Sequence, residues 1–211
     1  MKNRGRPDKE NMIKKRNNRV FGRNLKRLCD VLFSALGIVF LSPLWIIVAV
    51  IIKLNIPGSI LFRQTRVGYE GSRFKILKFR TMEKNSVAEC DTDPDVDTDC
   101  VSFTGKWIRR LKLDELPQLI NILIGDMSFI GPRPYIEKES AGLSAERYEM
   151  RPGLTGLAQV YGNRELTWEE RTAYDVDYVR NFSLWLDMKV LLRTVRVVVF
   201  GEKACVRHRK G

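Results

Sequence analysis

Between Asp30 and Lys53 runs an unbroken series of twenty-two uncharged residues, VLFSALGIVFLSPLWIIVAVII, and it restricts the fold more than any other feature. As one α-helix it would measure about 33 Å, enough to cross a hydrocarbon core of roughly 30 Å. It is too long for a cleavable signal, and no small-residue cleavage site precedes the next charge. Two features oppose a simple span. Arg23, Lys26 and Arg27 flank one side and Lys53, Arg63 and Arg66 the other, so the positive-inside rule gives no preferred orientation. Ser42-Pro43 sits near the centre, with eleven residues before it and nine after. Pro43 cannot donate to the carbonyl of Val39, and an interior proline costs a helix about 3 kcal/mol, whereas Ser42 can bond back to that carbonyl. A kinked spanning helix and a helix–break–helix that enters and leaves on one face both satisfy these facts.

The surrounding chain narrows the partners. Residues 1–30 carry eleven Lys and Arg against Asp8, Glu10 and Asp30, which reads as a disordered or surface-bound basic arm. A formal charge of +12 and a pI near 9.7 call for an anionic partner: nucleic acid, acidic lipid or a phosphorylated substrate. The apolar run that follows the arm favours lipid headgroups. With 211 residues the chain has room for one ordinary domain. Its single histidine, His208, lies in a basic tail, which removes histidine triads and two-histidine metal sites. Cys29, Cys90, Cys100 and Cys205 show no CxxC spacing, so neither a zinc site nor a disulfide scaffold is supported. Chemistry must rest on carboxylates, basic residues and a metal.

After Lys53, ILFRQTRV and RFKILKFRTM alternate apolar and basic residues around the Gly68–Gly71 turn and predict a β-hairpin with an apolar face inward and a basic face outward. The aspartates of residues 89–100 lack the Gly and Glu of an EF-hand and read as a solvated acidic loop. GKWIRRLK predicts an amphipathic segment placing Trp107 and Ile108 at headgroup depth. In LDELPQLINILIGDMSFIGPRP, Asp114 is a candidate N-cap, Pro117 falls in the first turn, and the helix would stop at Gly125. Leu116, Leu119, Ile120, Leu123 and Ile124 would pack inward, leaving Asp114, Gln118 and Asn121 as a polar stripe able to face a ligand. Asp114-Glu115 at a helix start suits a metal–phosphate or a nucleophilic carboxylate, although a plain capped helix has the same pattern. Pro132-Arg133-Pro134 fixes φ on both sides of one guanidinium, suited to phosphate. Residues 134–148 read as a polar connecting helix. RPGLTGLAQVYG supplies a glycine-rich turn and a short β-like run, followed by a polar cluster of Gln159, Asn163 and Arg164. TWEE is a capping box opening a helix to about Arg180, and LWLDMKVLLRTVRVVVF is apolar enough to dock on a membrane.

LDELPQL, GDMSFIGPRP and RPGLTGLAQVYG together resemble the bacterial sugar transferases that are monotopic, membrane-embedded phosphoglycosyl transferases, from about Lys26 to Val199. The resemblance implies the re-entrant membrane helix, broken at Ser42 and Pro43, with Arg27 and Asp30 at its start. The expected class is then α+β, mainly helical: a basic arm (1–29), the re-entrant helix (30–53) and a cytosolic domain on the membrane face (54–211), with a short hairpin and amphipathic interfacial helices. It also implies transfer of a sugar 1-phosphate from a UDP-sugar to polyprenyl phosphate at the cytoplasmic face of the inner membrane. Asp114 would be the nucleophile and Glu115 the second acid, with Mg²⁺ held by both. Arg133, with Lys78 and Arg80 from the family-like KFRTM segment, would bind phosphate, and Gln159, Asn163 and Arg164 are candidates for the nucleotide sugar. Members usually show Gly-Arg-Asn where this chain has Gly162-Asn163-Arg164. Membrane lipids are expected partners and nucleic acid is not; a homodimer stays open. The rival reading is a membrane-anchored basic binding module for acidic lipid or nucleic acid, without catalysis.

Overall fold

The computed structural model describes residues 9–82, 101–140, 142–162 and 166–200, with side chains from Val20 onward. The acidic loop 89–100, Asn163, Arg164 and His208 lie outside these residues. The described chain is mainly helical, with two small two-stranded sheets.

One helix, α1, extends from Lys9 to Asn55 and takes in part of the expected basic arm as well as the whole apolar run. The break expected at Ser42-Pro43 does not divide it: Pro43 lies inside the helix. The Ser42 hydroxyl donates to the Val39 carbonyl at 2.8 Å, giving the acceptor left by proline a local partner. Packing supplies the rest. Lys26, Asp30 and Ser34, then Ile38, Leu41 and Trp45, then Val48, Ile52 and Ile56 recur at three- or four-residue intervals and face the body of the protein on both sides of Pro43. Pro43 itself is exposed, off that stripe.

The predicted hairpin is present. β1 (Leu61–Val67) pairs antiparallel with β2 (Arg73–Phe79), Gln64 opposite Ile76. Helix α2 (Phe103–Arg110) follows, with Ser102 as N-cap accepting from Gly105 N at 3.0 Å. Gly105 is required there, because a Cβ would lie 2.2 Å from the Thr81 carbonyl oxygen. Ile108 does not reach toward a headgroup region but is buried against Val48, Ile52 and Phe79. Phe103, Trp107 and Leu111, spaced by four, form the outward apolar row instead.

A 3₁₀ turn (Leu113–Glu115) leads into α3 (Gln118–Ile124), which ends at Gly125 with φ +104°. β3 (Ser128–Ile130) pairs in parallel with β4 (Gly153–Thr155). The expected connecting helix over 134–148 is only α4 (Glu137–Ser140) and a 3₁₀ turn, Ala145–Glu149, whose Arg147 is buried. LAQVY is helical, α5 (Leu157–Tyr161), rather than β-like; the strand is the GLT before it. The TWEE capping box forms with both reciprocal bonds and opens α6 (Trp168–Arg180). Ser183 Oγ accepts from Leu186 N as α7 (Leu184–Phe200) begins.

Tyr178, Val179 and Phe182 pack with Ile130, Leu157 and Val190 to form the core beneath α7. Phe74, Ile76, Leu119, Ile122 and Met127 form another between hairpin and α3. A buried polar clasp ties α1 to both ends of the fold. Lys26 Nζ donates to Asp187 Oδ2 at 2.8 Å, the Tyr178 hydroxyl donates to Asp187 Oδ1 at 2.7 Å, and Phe129 N donates to Asp30.

Candidate active site

Pro117 decides how the acid pair is presented. It has no N–H to give the Leu113 carbonyl, which accepts instead from Leu116 N at 3.3 Å, so the chain turns as 3₁₀ over Leu113–Glu115. α3 therefore starts at Gln118 with Pro117 as its N-cap, and Asp114 is not the helix cap expected from the sequence. Lys112, immediately before the turn, has φ +56° and ψ 21°. A left-handed non-glycine residue costs on the order of 1 kcal/mol. Asp114 is buried and Glu115 partly so.

The Gln118 and Asn121 part of the expected polar stripe is not a ligand face. Asn121 is 1% exposed; its Oδ1 accepts from Leu77 N at 3.0 Å and its Nδ2 donates to the Lys75 carbonyl at 2.8 Å, which fastens α3 to β2. Gln118 is buried beside it, whereas Ile124, expected inward, is exposed. The far end of α3 is held by two arginines. Arg27 donates to the carbonyls of Ile122 (2.6 Å) and Leu123 (2.9 Å), and Arg151 Nε to that of Gly125 (2.8 Å). These bonds satisfy carbonyls that a helix leaves open at its C-terminus.

Lys78 reaches the acid pair because of its phase in β2. It shares the inner face with Phe74 and Ile76, not the outer basic face with Arg73 and Lys75, and its Nζ lies 3.7 Å from Glu115 Oε1. Arg80 is held elsewhere: its guanidinium donates to Ser59 Oγ at 2.8 Å and packs over Gly58.

A cavity of about 440 Å³ brings Glu115 together with Arg133 and Gln159. Arg110, on the amphipathic segment, and Lys112 add two cations; nothing local marks Lys112 for a left-handed conformation. Much of the rest of its lining is apolar, including Leu41 of α1 and Leu191, Val197 and Val198 of α7. One cavity thus offers cations, a carboxylate and hydrocarbon together, as an amphiphilic phosphate requires.

Among the described residues no three His, Cys, Asp or Glu side chains cluster as a metal cage. Two adjacent acids on one turn nevertheless fit Mg²⁺, which is commonly held by one or two carboxylates together with substrate phosphates.

The loop carrying Arg133 is fastened by Arg66, which the sequence marks only as a flanking charge, and by Arg147 and Asp175, which no local signal marks. Arg66, 2% exposed, donates to the Pro134 carbonyl at 3.1 Å, and Val67 N to that of Tyr135 at 3.0 Å. Arg147 and Asp175 form a fully buried ion pair at 2.8 Å beneath Arg133. Burial pushes the Asp175 carboxyl up to about 6, against the pull of Arg147 and Arg133.

The bacterial sugar transferase family model matches residues 21–201. A UDP-glucose:undecaprenyl-phosphate glucose-1-phosphate transferase of Caulobacter vibrioides is 46% identical over 196 residues, 85% of this chain and 71% of that protein. The exopolysaccharide production protein ExoY of Sinorhizobium fredii is 39% identical, covering 84% of this chain and 86% of its own. A UDP-N-acetylgalactosamine-undecaprenyl-phosphate N-acetylgalactosaminephosphotransferase of Aeromonas hydrophila is 39% identical over 84% of this chain, which spans 44% of that longer protein.

Proposed function

From the premise that the chain belongs to the bacterial sugar transferase family, we propose that it moves a sugar 1-phosphate from a UDP-sugar to undecaprenyl phosphate, in two steps through Asp114. The observation that carries this reading is the acid pair on a 3₁₀ turn: Glu115, beside Lys78, lines a cavity that holds both cationic and apolar side chains, and Asp114 is buried next to it in the turn.

In the first step an Asp114 carboxylate oxygen attacks the sugar-bearing phosphorus of the donor. The bond from that phosphorus to the bridging oxygen breaks, and UMP leaves with the electron pair. In the second, a phosphate oxygen of the acceptor attacks the same phosphorus, the acyl-phosphate P–O bond breaks, and the carboxylate is restored. Arg133, Arg110 and Lys112 line the cavity and supply positive charge to the phosphates, and Lys78 pairs with Glu115. Mg²⁺, held by Asp114 and Glu115 with the donor's phosphates, would neutralise the diphosphate charge when bound.

The same reading places the chain as a monotopic protein on the cytoplasmic face of the inner membrane. Val39, Phe40, Ile46 and Ile47 of α1, Phe103 and Trp107 of α2, and Trp185, Leu192 and Val199 of α7 are exposed apolar residues suited to lipid. The acceptor's tail would leave the cavity along the wall formed by α1 and α7.

UDP-glucose, the donor named for the Caulobacter relative, and a panel of other UDP-sugars test the proposal. Donor alone should add the mass of one phosphosugar to the protein and release a stoichiometric burst of UMP. Asp114→Asn should fold yet form no adduct and lose turnover, and Glu115→Gln should lose turnover. Near-normal rates in Asp114→Asn would overturn the covalent step.

A further inference from the structure

Arg133 is held by its backbone before its side chain can act. Its N–H donates to Asp175 Oδ1 at 3.4 Å, and its carbonyl accepts from Arg147 Nη2 at 2.5 Å. The same Nη2 donates to Asp175 Oδ2 at 2.8 Å, so one ion pair grips both polar groups of a single peptide residue. Both side chains are 0–1% exposed. The guanidinium of Arg147 lies over the Tyr135 ring at 4.5 Å, and the ring meets Trp168 edge-on at 4.7 Å. Arg66 grips the next carbonyl, that of Pro134. With φ fixed at Pro132 and Pro134, the rotation left around Arg133 is what these bonds restrict.

A buried ion pair is weak ground for stability, since apolar residues of like volume often serve as well, so its use lies elsewhere. We propose that Arg147 and Asp175 are positioning residues for Arg133: they set the backbone from which its guanidinium meets the phosphates of the donor. This rests on the transferase reading only in naming the anion. Neither residue lines the cavity, and both act through Arg133.

The test uses the full-length protein in lipid nanodiscs and two readouts, kcat/KM for UMP release and the affinity for UDP by calorimetry, which needs no turnover. Asp175→Asn and the paired change Arg147→Met with Asp175→Leu are each compared in wild-type and Arg133→Ala backgrounds, with melting temperature recorded. In the wild-type background, kcat/KM should fall by up to about 100-fold, the scale of a misplacement near 1 Å, with UDP bound more weakly and melting little changed. In the Arg133→Ala background the same changes should cost little more, because the residue they position is gone. Losses that multiply instead, a paired variant that does not fold, or rates that drop only with the folded fraction would each overturn the proposal. If the wild type releases no UMP from any donor, the function reading fails, while the UDP affinities still decide whether the pair positions Arg133.

Discussion

At Asp175, rate and stability should respond to pH in opposite directions. The charged groups facing its carboxyl are Arg147 and Arg133, yet burial dominates and raises it to about 6. A carboxyl raised on folding binds its proton more tightly in the native state, so its contribution to stability is full below the unfolded value near 4. That contribution is lost as pH rises through about 6. Acidification from pH 7 to 5 should therefore not lower the melting temperature through this group. Protonation does weaken the grip on Arg147 and Arg133, so kcat/KM should fall along an acid limb near pH 6 that is missing in Asp175→Asn. An identical limb in that variant would assign it to another group. The residue scale is also where sequence reading reached least far. Asp114, Glu115 and Arg133 stand out because their signals are local: adjacent acids, and prolines on either side of an arginine. The Arg147–Asp175 pair joins residues 28 apart with no periodicity between them. Lys78 is a candidate by resemblance alone, because the apolar–basic alternation breaks at Ile76-Leu77 and leaves the side of the strand it takes ambiguous in the sequence.

Among elements, the hairpin, α6 and α7 were legible, since alternation, a capping box and an apolar stretch are short-range patterns. The start of α3 is not legible locally, because a proline that suits a helix's first turn also deletes the bond that would extend that helix back to Asp114. In α1 the proline is a local signal for a break, and the packing that opposes it is long-range. Ile52, fully buried against Val48, Ile56, Phe79 and Ile108, lies on the stripe that holds the helix to the hairpin. Ile52→Ala should cost about 2–5 kcal/mol, read as a lower denaturation midpoint in detergent. Phe40, 77% exposed on the opposite side, should behave otherwise. Phe40→Ser should leave the midpoint within about 0.5 kcal/mol and instead raise the fraction released from membranes by mild detergent. Equal effects from the two substitutions would mean that α1 has no distinct lipid face.

For the whole molecule, the question is whether α1 can cross a bilayer while remaining attached to everything it touches. From Gly22, packed against Phe182, to Ile56, buried near Phe79, it meets the same folded body. A straight helix of that length would measure about 50 Å, and roughly 30 Å of hydrocarbon around it would have to admit the body as well. That body carries Arg63, Arg73 and Lys75 exposed on the hairpin, and an ionised side chain in hydrocarbon costs about 2.5 kcal/mol or more. The exposed apolar residues of α1, α2 and α7 give lipid a face to meet without immersing those charges. Both ends of the apolar run should therefore lie on the cytoplasmic side. With the four native cysteines replaced by serine, single cysteines at Asn3 and Ser72 should both resist an impermeant thiol reagent in intact cells and both react after permeabilisation. Labelling of Asn3→Cys alone in intact cells would mean that α1 spans the membrane with the arm outside, and the monotopic arrangement would have to be abandoned even if the transferase activity stood.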